Sequence, residues 1–314
     1  MISLSSLKMG MRMIIPPALK KGDKIGVVSP AGKISSSDVL PAVEWLRAVG
    51  YEVILGEHIF NEYNLFSGND LQRAADFQQM LDDSEVKVLL SARGGYGCLR
   101  TWQQLDFSRF LKMPKWVVGF SDVTVFHSYL NTLGIASLHG VMPRFFLEEG
   151  EPSESLNSLM RLLKRDSFSY LIPPHPLNRS GEAVGELIGG NLSILYSLRG
   201  TPLDVDTRGK ILFIEDLSEF LYHLDRIMQN FKVGGVFDQL AGVIVGAFTE
   251  MNDSGTPFGK EAVEIIAEAL EDYNFPVCFG FPAGHVQRNL ALPFGQQVQL
   301  NLATEQITLS SVPK

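Results

Sequence analysis

The first half of the chain alternates short apolar runs with longer amphipathic segments, and this pattern constrains the fold more than any other feature of the sequence. Glycine, serine and proline bound the apolar runs, and four runs have the length of strands: residues 24–28, 52–55, 86–91 and 116–120. Apolar residues with helical spacing predict helices over 36–49 and 70–81, and a third helix is predicted to begin at Ser121. Strands that alternate with helices are typical of βαβ units around a parallel sheet.

The second half of the chain follows the strongest break in the sequence, in which Pro173, Pro174 and Pro176 precede a polar turn at 178–181. Further strands are predicted at 210–214 and 241–245, and further helices at 221–231 and 260–270. Apolar and polar residues alternate over 297–309, which indicates an edge strand or a half-exposed strand.

These elements predict an α/β chain of two domains. An N-terminal parallel-sheet (Rossmann-like) domain over 14–170 is followed by a linker over 171–185. A C-terminal mixed α/β domain with a strand-rich core covers 186–314. Residues 1–13 carry four methionines and scattered polar residues, and they are predicted to be a loose N-terminal extension.

Composition excludes several classes of function. The net charge is −8 and no long basic run occurs, so binding of a nucleic-acid backbone is not expected. The two cysteines, Cys98 and Cys278, have neither the number of a disulfide framework nor the spacing of metal ligands. No apolar run has the length of a membrane span, and polar residues interrupt the N-terminal stretch. We therefore expect a cytoplasmic protein that needs no membrane, metal or cofactor.

The sharpest local motif is the apolar run Trp116–Phe120, which ends in Gly119-Phe120-Ser121-Asp122 and leads directly into a helix. A sharp strand-to-helix turn of this kind exposes a nucleophilic serine hydroxyl. Val123 stands where the full Gly-x-Ser-x-Gly pattern has glycine. Ser121 and Asp122 could equally be N-cap residues of the helix, and the motif alone does not separate the two interpretations.

Three further features could complete an active site. The glycine-rich run 93–97 follows a strand and could bring backbone N–H groups close to a ligand. Glu215 and Asp216 end the apolar run 210–214, where either carboxylate could orient a histidine or cap a helix. His285 lies in a turn-rich loop. The order Ser121, Glu215, His285 is that of one recurrent catalytic triad.

Seven short motifs in the same order, spread over nearly the whole chain, resemble those of the LD-carboxypeptidase family of serine peptidases. They are Val27-Val28-Ser29-Pro30-Ala31-Gly32, Arg93-Gly94-Gly95-Tyr96-Gly97, Gly119-Phe120-Ser121-Asp122, Leu138-His139-Gly140, Gly189-Gly190-Asn191-Leu192, Phe213-Ile214-Glu215-Asp216 and Gly284-His285.

The resemblance implies a parallel-sheet N-terminal domain, a mixed C-terminal domain, an active site between them and a homodimer. It implies that Ser121 is the nucleophile, His285 its base and Glu215 the acid. The N–H groups of Asp122 and Gly95 are the implied oxyanion donors. The other histidines are weaker candidates: His127 on the following helix, His139 near the domain interface, and His58, His175 and His223 at surface or hinge positions.

The implied substrate is a small peptide, a cytoplasmic muropeptide tetrapeptide that loses its terminal D-alanine during peptidoglycan recycling. Its free carboxylate calls for a cationic clamp, for which Arg93 and Arg288 are the nearest arginines to the motifs. Three alternatives stay open. They are a microcin-immunity-type hydrolase of peptide-nucleotide antibiotics, a non-catalytic two-domain binder of small ligands, and an enzyme with Cys98 as nucleophile.

Overall fold

The structure is a computed structural model that describes residues 13–303 and 306–312, and the predicted extension lies almost wholly outside them. The strands of this part are β1 (Lys24–Val28), β2 (Glu52–Leu55), β3 (Val86–Ser91), β4 (Trp116–Gly119), β5 (Ser137–His139), β6 (Leu147–Glu148), β7 (Glu151–Pro152), β8 (Ser169–Ile172), β9 (Gly181–Asn191), β10 (Ile211–Leu217), β11 (Gly242–Thr249), β12 (Val277–Cys278), β13 (Leu292–Phe294), β14 (Gln297–Leu302) and β15 (Ile307–Ser311). The α-helices are α1 (Ser36–Ala48), α2 (Asp70–Asp82), α3 (Cys98–Trp102), α4 (Thr124–Thr132), α5 (Glu154–Leu163), α6 (Leu192–Ser197), α7 (Leu221–Val233) and α8 (Ala262–Ala269).

The first sheet has the order β13-β5-β4-β3-β1-β2. Its five strands from the N-terminal half are parallel, as the alternating pattern predicts, and β13 pairs antiparallel with β5 at the edge. Helix α1 forms where the sequence predicts it, because it has both a capping residue at its start and apolar residues along one face. The Ser35 hydroxyl accepts a hydrogen bond from the N–H of Asp38 at the helix start, and Val39, Val43 and Leu46 lie buried on one face.

The second sheet has the order β12-β11-β10-β9-β14-β15-β8 and mixes both pairing types. Strands β9 to β12 are parallel, whereas β14, β15 and β8 pair antiparallel. The predicted α/β fold, with a parallel N-terminal sheet and a strand-rich C-terminal part, is thus confirmed.

The prediction of a half-exposed strand over 297–309 is confirmed for β14, along which buried residues alternate with partly exposed or exposed ones, but the alternative of an edge strand is wrong. The stretch contains β14 and the start of β15, which pair with each other, and β9 and β8 flank the pair on either side. Neither strand lies at an edge. Alternation along one stretch reports which face of a strand is buried, but it does not report how many partners the strand has.

The predicted linker over 171–185 contains the end of β8 and the first residues of β9. Strand β8 begins in the predicted N-terminal domain and lies in the second sheet, while β13 comes from the C-terminal half and lies in the first sheet. The chain therefore crosses between the sheets more than once. The limits of the two domains stay a prediction.

Among the helices described for residues 13–303 and 306–312, none is both long and apolar enough to cross a membrane.

Candidate active site

Ser121 lies on a sharp turn between strand β4 and helix α4. Its φ of +64° is unusual for a residue with a side chain, and a short 3-10 turn, Ser121–Val123, joins it to the helix. The N-cap positions are occupied by Phe120 and Val123, and neither makes a side-chain capping bond. The alternative of Ser121 as a helix cap is therefore not supported, and the strained backbone is that of a nucleophile elbow.

The glycine-rich loop after β3 packs directly against this turn. A Cβ atom placed on Gly94 would lie 2.9 Å from the Cβ of Ser121 and 3.1 Å from its Oγ, so only glycine fits. Gly95 has a φ of +100°, which favours glycine for conformational reasons. The buried carboxylate of Asp122 accepts a hydrogen bond of 2.7 Å from the N–H of Cys98 and so ties the loop to the turn.

His285 and Glu215 form a hydrogen-bonded pair. The Nδ1 atom of His285 lies 2.7 Å from Oε2 of Glu215, whose side chain is fully buried. Gly284, with a φ of +111°, allows the pair to form, because a Cβ atom there would lie 2.7 Å from Oε2 of Glu215. Asp216 points to the opposite face of β10, where its carboxylate accepts hydrogen bonds from Nδ2 of Asn191 and the N–H of Ser193.

The electrostatic environment favours a charged imidazole. Burial by itself lowers the pKa of His285, but the hydrogen bond that its Nδ1–H donates to Glu215 and the negative charges of Glu215, Asp216 and Glu250 outweigh it and raise the pKa above its ordinary value. Nδ1 faces the carboxylate, which leaves Nε2 as the ring nitrogen able to exchange a proton with another group. This arrangement suits a base that becomes positively charged during a reaction.

The serine, the histidine and the glycine-rich loop line one cleft at the carboxyl ends of β3, β4, β5, β10 and β11. Its lining residues are Ile34, Asp38, residues 92–95, Phe120, Ser121, Met142, Arg144, Phe145, Leu217, Glu250 and residues 285–287. The ring of Phe120 lies edge-on to that of His285, with centroids 5.1 Å apart. Among the described residues, no hydrogen bond joins the Ser121 hydroxyl to His285. Catalytic hydrogen bonds of this kind commonly tighten only when substrate binds.

Two models of known families match the chain in tandem. The model of the LD-carboxypeptidase N-terminal domain matches residues 25–140, and that of the LD-carboxypeptidase C-terminal domain matches residues 184–300. The chain belongs to the LD-carboxypeptidase family. The resemblance seen in the sequence motifs is confirmed, and the chain is a hydrolase of the serine carboxypeptidase class.

Individual relatives match the chain over nearly their full length. A probable murein peptide carboxypeptidase of Bacillus subtilis is 36% identical, with 92% of each chain covered. The crystal structure of muramoyltetrapeptide carboxypeptidase from Oxalobacter formigenes superposes with a TM-score of 0.82 at 28% identity, covering 91% of this chain and 98% of that one. The microcin C7 self-immunity protein MccF of Escherichia coli is 24% identical, over 95% and 96% of the two chains. The prediction of an enzyme is thus confirmed, in place of the alternative of a non-catalytic binding protein.

The two arginines predicted as a carboxylate clamp differ in position. Arg93 lines the cleft, and its Nη1 donates to the carbonyl of Lys33 at 2.5 Å. Arg288 is not among the lining residues, and its guanidinium is held by both oxygens of Glu154 at 2.8 and 2.9 Å. Arg144, which was not among the predicted site residues, does line the cleft. In the sequence, Arg144 is distinguished only by its position shortly after the Leu138-His139-Gly140 motif, and this is a weak signal because charged residues after a strand are common.

The remaining histidines of this LD-carboxypeptidase lie outside the cleft lining. His127 is buried between Oγ of Ser137 and the carbonyl of Gly119, and burial lowers its pKa to about 4. His139 is buried among aromatic rings, including that of Phe213 at 5.0 Å. The other three bond locally: His58 to Asp76, His223 to Glu219 and His175 to the N–H of Leu177.

Cys98 is a poor nucleophile in this environment. Its side chain is completely buried at the start of α3, and burial together with the negative charge of Asp122 raises the pKa of the thiol well above its ordinary value. A buried neutral thiol is inert because the thiolate is the reactive form. Within 13–303 and 306–312, no group of three or more His, Cys, Asp or Glu side chains is placed to hold a metal ion.

Proposed function

We propose that the chain removes the terminal D-alanine from muropeptide tetrapeptides by hydrolysing the bond between an L-configured centre and the D-residue. One observation carries the proposal: a serine on a strained strand-to-helix turn shares a cleft with a histidine that is hydrogen-bonded to a buried carboxylate. The relatives named as murein peptide and muramoyltetrapeptide carboxypeptidases support the same substrate class.

In the proposed reaction, Ser121 Oγ attacks the scissile carbonyl while Nε2 of His285 takes its proton. Glu215 holds the Nδ1–H tautomer of His285 and stabilises the imidazolium that forms. The N–H groups of Asp122 and Gly95 are the proposed donors to the oxyanion, because both belong to the turn and the loop that meet at Ser121. His285 then protonates the leaving amine of D-alanine. In the second half of the reaction, His285 takes a proton from a water molecule that attacks the acyl-enzyme carbonyl. It then returns this proton to Ser121 Oγ as the ester bond breaks and the shortened peptide leaves.

The free carboxylate of D-alanine needs a cation beyond the scissile bond. We assign this contact to Arg93 and Arg144, which both line the cleft, instead of the pair Arg93 and Arg288 expected from the sequence. Arg144 lies 3.6 Å from a carboxylate oxygen of Asp38, and this long separation leaves guanidinium donors available for a ligand.

The proposed setting is peptidoglycan recycling in the cytoplasm by a homodimer. Two free, buried cysteines are compatible with a reducing compartment. Fractionation of cells that produce the tagged chain, together with light scattering of the purified protein, tests location and oligomeric state.

Two measurements test the proposed activity. A fluorophosphonate probe should label Ser121 in the wild type and leave Ser121→Ala unlabelled, with the site identified by mass spectrometry of the labelled peptide. A muropeptide tetrapeptide assayed beside an aminoacyl-nucleotide analogue then separates the main proposal from the microcin-immunity alternative. Hydrolysis of the nucleotide analogue alone would replace the muropeptide proposal with the alternative.

A further inference from the structure

The turn over residues 29–32, which follows β1, belongs to the first of the seven sequence motifs and has no role in the proposed reaction. Its residues are not among those that line the cleft. The hydroxyl of Ser29 donates to the carbonyl of Gly32 at 2.8 Å and closes the turn. The hydroxyl of Thr101 donates to the carbonyl of Pro30 at 2.7 Å and anchors the turn to helix α3. The 29–32 turn is therefore fixed both from within and from outside.

The 29–32 turn packs against the glycine-rich loop that follows β3, because β1 and β3 are parallel neighbours. The N–H of Gly32 donates to the carbonyl of Gly94 at 2.9 Å. A Cβ atom placed on Gly32 would lie 2.9 Å from that carbonyl oxygen, and one placed on Gly97 would lie 3.2 Å from the Cα of Ala31. The turn and the loop thus approach each other backbone against backbone, and the approach at Gly32 requires a residue without a side chain.

The hydrogen bond from Gly32 determines the direction of the Gly95 N–H. The carbonyl of Gly94 and the N–H of Gly95 belong to one planar trans peptide unit, so they point in opposite directions. Since the carbonyl points to Gly32, the N–H points away from the 29–32 turn. Gly95 lines the cleft, and within the part of the chain that the structure describes no backbone carbonyl accepts a hydrogen bond from its N–H. This donor is therefore available to a ligand.

We propose that the 29–32 turn is a positioning element of the oxyanion hole, in which the Gly32 N–H holds the Gly94–Gly95 peptide unit so that the Gly95 N–H faces the developing oxyanion. Two adjacent glycines have many accessible backbone conformations, and the peptide unit between them could otherwise rotate. A donor that is already oriented stabilises the transition state without reorganisation when the charge forms. The inference rests on the proposed function and extends it to a motif that does not touch the substrate.

Gly32→Ala tests the proposal, because its methyl group would collide with the carbonyl of Gly94 and turn the peptide unit. Loss of one oxyanion donor costs about 10²–10³ in kcat, and we expect a fall of this size with KM unchanged. A tripeptide boronic acid, in which boron replaces the scissile carbonyl carbon, forms a tetrahedral adduct with the serine and mimics the transition state. Its Ki should rise by the same factor as kcat falls. Ser29→Ala, which removes only the bond inside the turn, should change kcat and Ki in the same directions by a smaller factor.

Gly255→Ala is the matched control, because a Cβ atom there meets no heavy atom within 4 Å and the residue lies outside the cleft lining. It should keep the wild-type kcat, KM and Ki. Thermal unfolding of each variant, followed by circular dichroism, confirms that the compared enzymes are folded. If Gly32→Ala does not fold, Ser29→Ala decides the question by the same measurements.

The outcomes separate the inference from the proposed function. A folded Gly32→Ala enzyme with the kcat and Ki of the wild type would overturn the inference. A fall in kcat without a change in Ki would also overturn it, since a smaller folded fraction lowers kcat and leaves Ki unchanged. A rise in KM alone would overturn it as well and would assign the effect to Arg93, whose side chain also lies close to Gly32. A wild type that neither releases D-alanine nor binds the boronic acid would contradict the proposed function itself.

Discussion

At the scale of single residues, neighbours on one strand have separate tasks. Glu215 and Asp216 are adjacent in β10, so their side chains lie on opposite faces of the sheet. Glu215 meets His285 at 2.7 Å, whereas Asp216 accepts hydrogen bonds from the N–H groups of Ser193 and Leu217. The sequence showed both carboxylates without a way to choose between them, and the structure brings only Glu215 to the histidine.

Glu215→Gln should therefore lose activity, while Asp216→Asn should lose stability. An amide at position 215 keeps the shape but favours the wrong imidazole tautomer, which in a comparable triad costs about 10⁴ in kcat. An amide at position 216 cannot accept all its present hydrogen bonds, and a buried unsatisfied group costs about 1–3 kcal/mol. Measurements of kcat and of the free energy of unfolding in urea, made for both variants, check these two predictions. An inactive Asp216→Asn beside an active Glu215→Gln would show that the acid is misassigned by one residue.

The raised pKa of His285 predicts the pH dependence. The proposed base must be neutral to take a proton, so kcat/KM should be low where the imidazole is charged and should rise with pH. Because the pKa lies above its ordinary value, the midpoint of this rise should lie above about 6.5. Glu250→Gln removes one of the negative charges that raise the pKa and should move the midpoint to lower pH. A wild-type midpoint below the ordinary value would contradict the assignment of His285 as base.

At the scale of elements, two turns from different βα units form the site together. The turn after β4 carries Ser121, and the loop after β3 packs against it through Gly94. The sequence identified both glycine-rich junctions because glycine and serine after an apolar strand are strong local signals. It could not identify Arg144 or Glu250, since charged residues after a strand are common and only their placement in one cleft distinguishes them.

Gly94→Ala should impair catalysis because the added methyl group would collide with the side chain of Ser121. The added Cβ would lie 2.9 Å from Cβ of Ser121, so the serine or the loop must move. Displacements of about 1 Å at a reacting group cost on the order of 10²-fold in rate. Gly255→Ala is the matched control, because a Cβ atom there meets no heavy atom within 4 Å. Comparing kcat/KM and thermal unfolding for the two variants tests this. Wild-type activity in Gly94→Ala would show that the close approach is not needed.

At the scale of the whole molecule, each half of the chain contributes a strand to the sheet that the other half mainly forms. Strand β13 from the C-terminal half extends the first sheet, and β8 from the N-terminal half lies at the edge of the second. Ser121 belongs to one half, and Glu215 and His285 belong to the other. The strand and helix order predicted two sheet-based units, but these exchanges involve short strands of three or four residues whose pairing is set by distant partners.

A fragment that ends before β9, such as residues 1–178, should fold poorly when expressed alone. It lacks β13, which leaves the edge of β5 unpaired, and its own β8 has no partner. Thermal unfolding followed by circular dichroism should show a lower and broader transition than the full chain shows. A sharp transition at the midpoint of the full-length protein would mean that the first sheet is independent of the C-terminal half.

The most direct test of the central claim is the release of D-alanine from an L,D-tetrapeptide by the wild type, Ser121→Ala and Cys98→Ala. The wild type and Cys98→Ala should release D-alanine. Ser121→Ala should lose about 10⁴-fold or more in rate while keeping the circular dichroism spectrum of the wild type. More than about a tenth of wild-type activity in Ser121→Ala, or loss of activity in a folded Cys98→Ala variant alone, would contradict the assignment of Ser121 as the nucleophile.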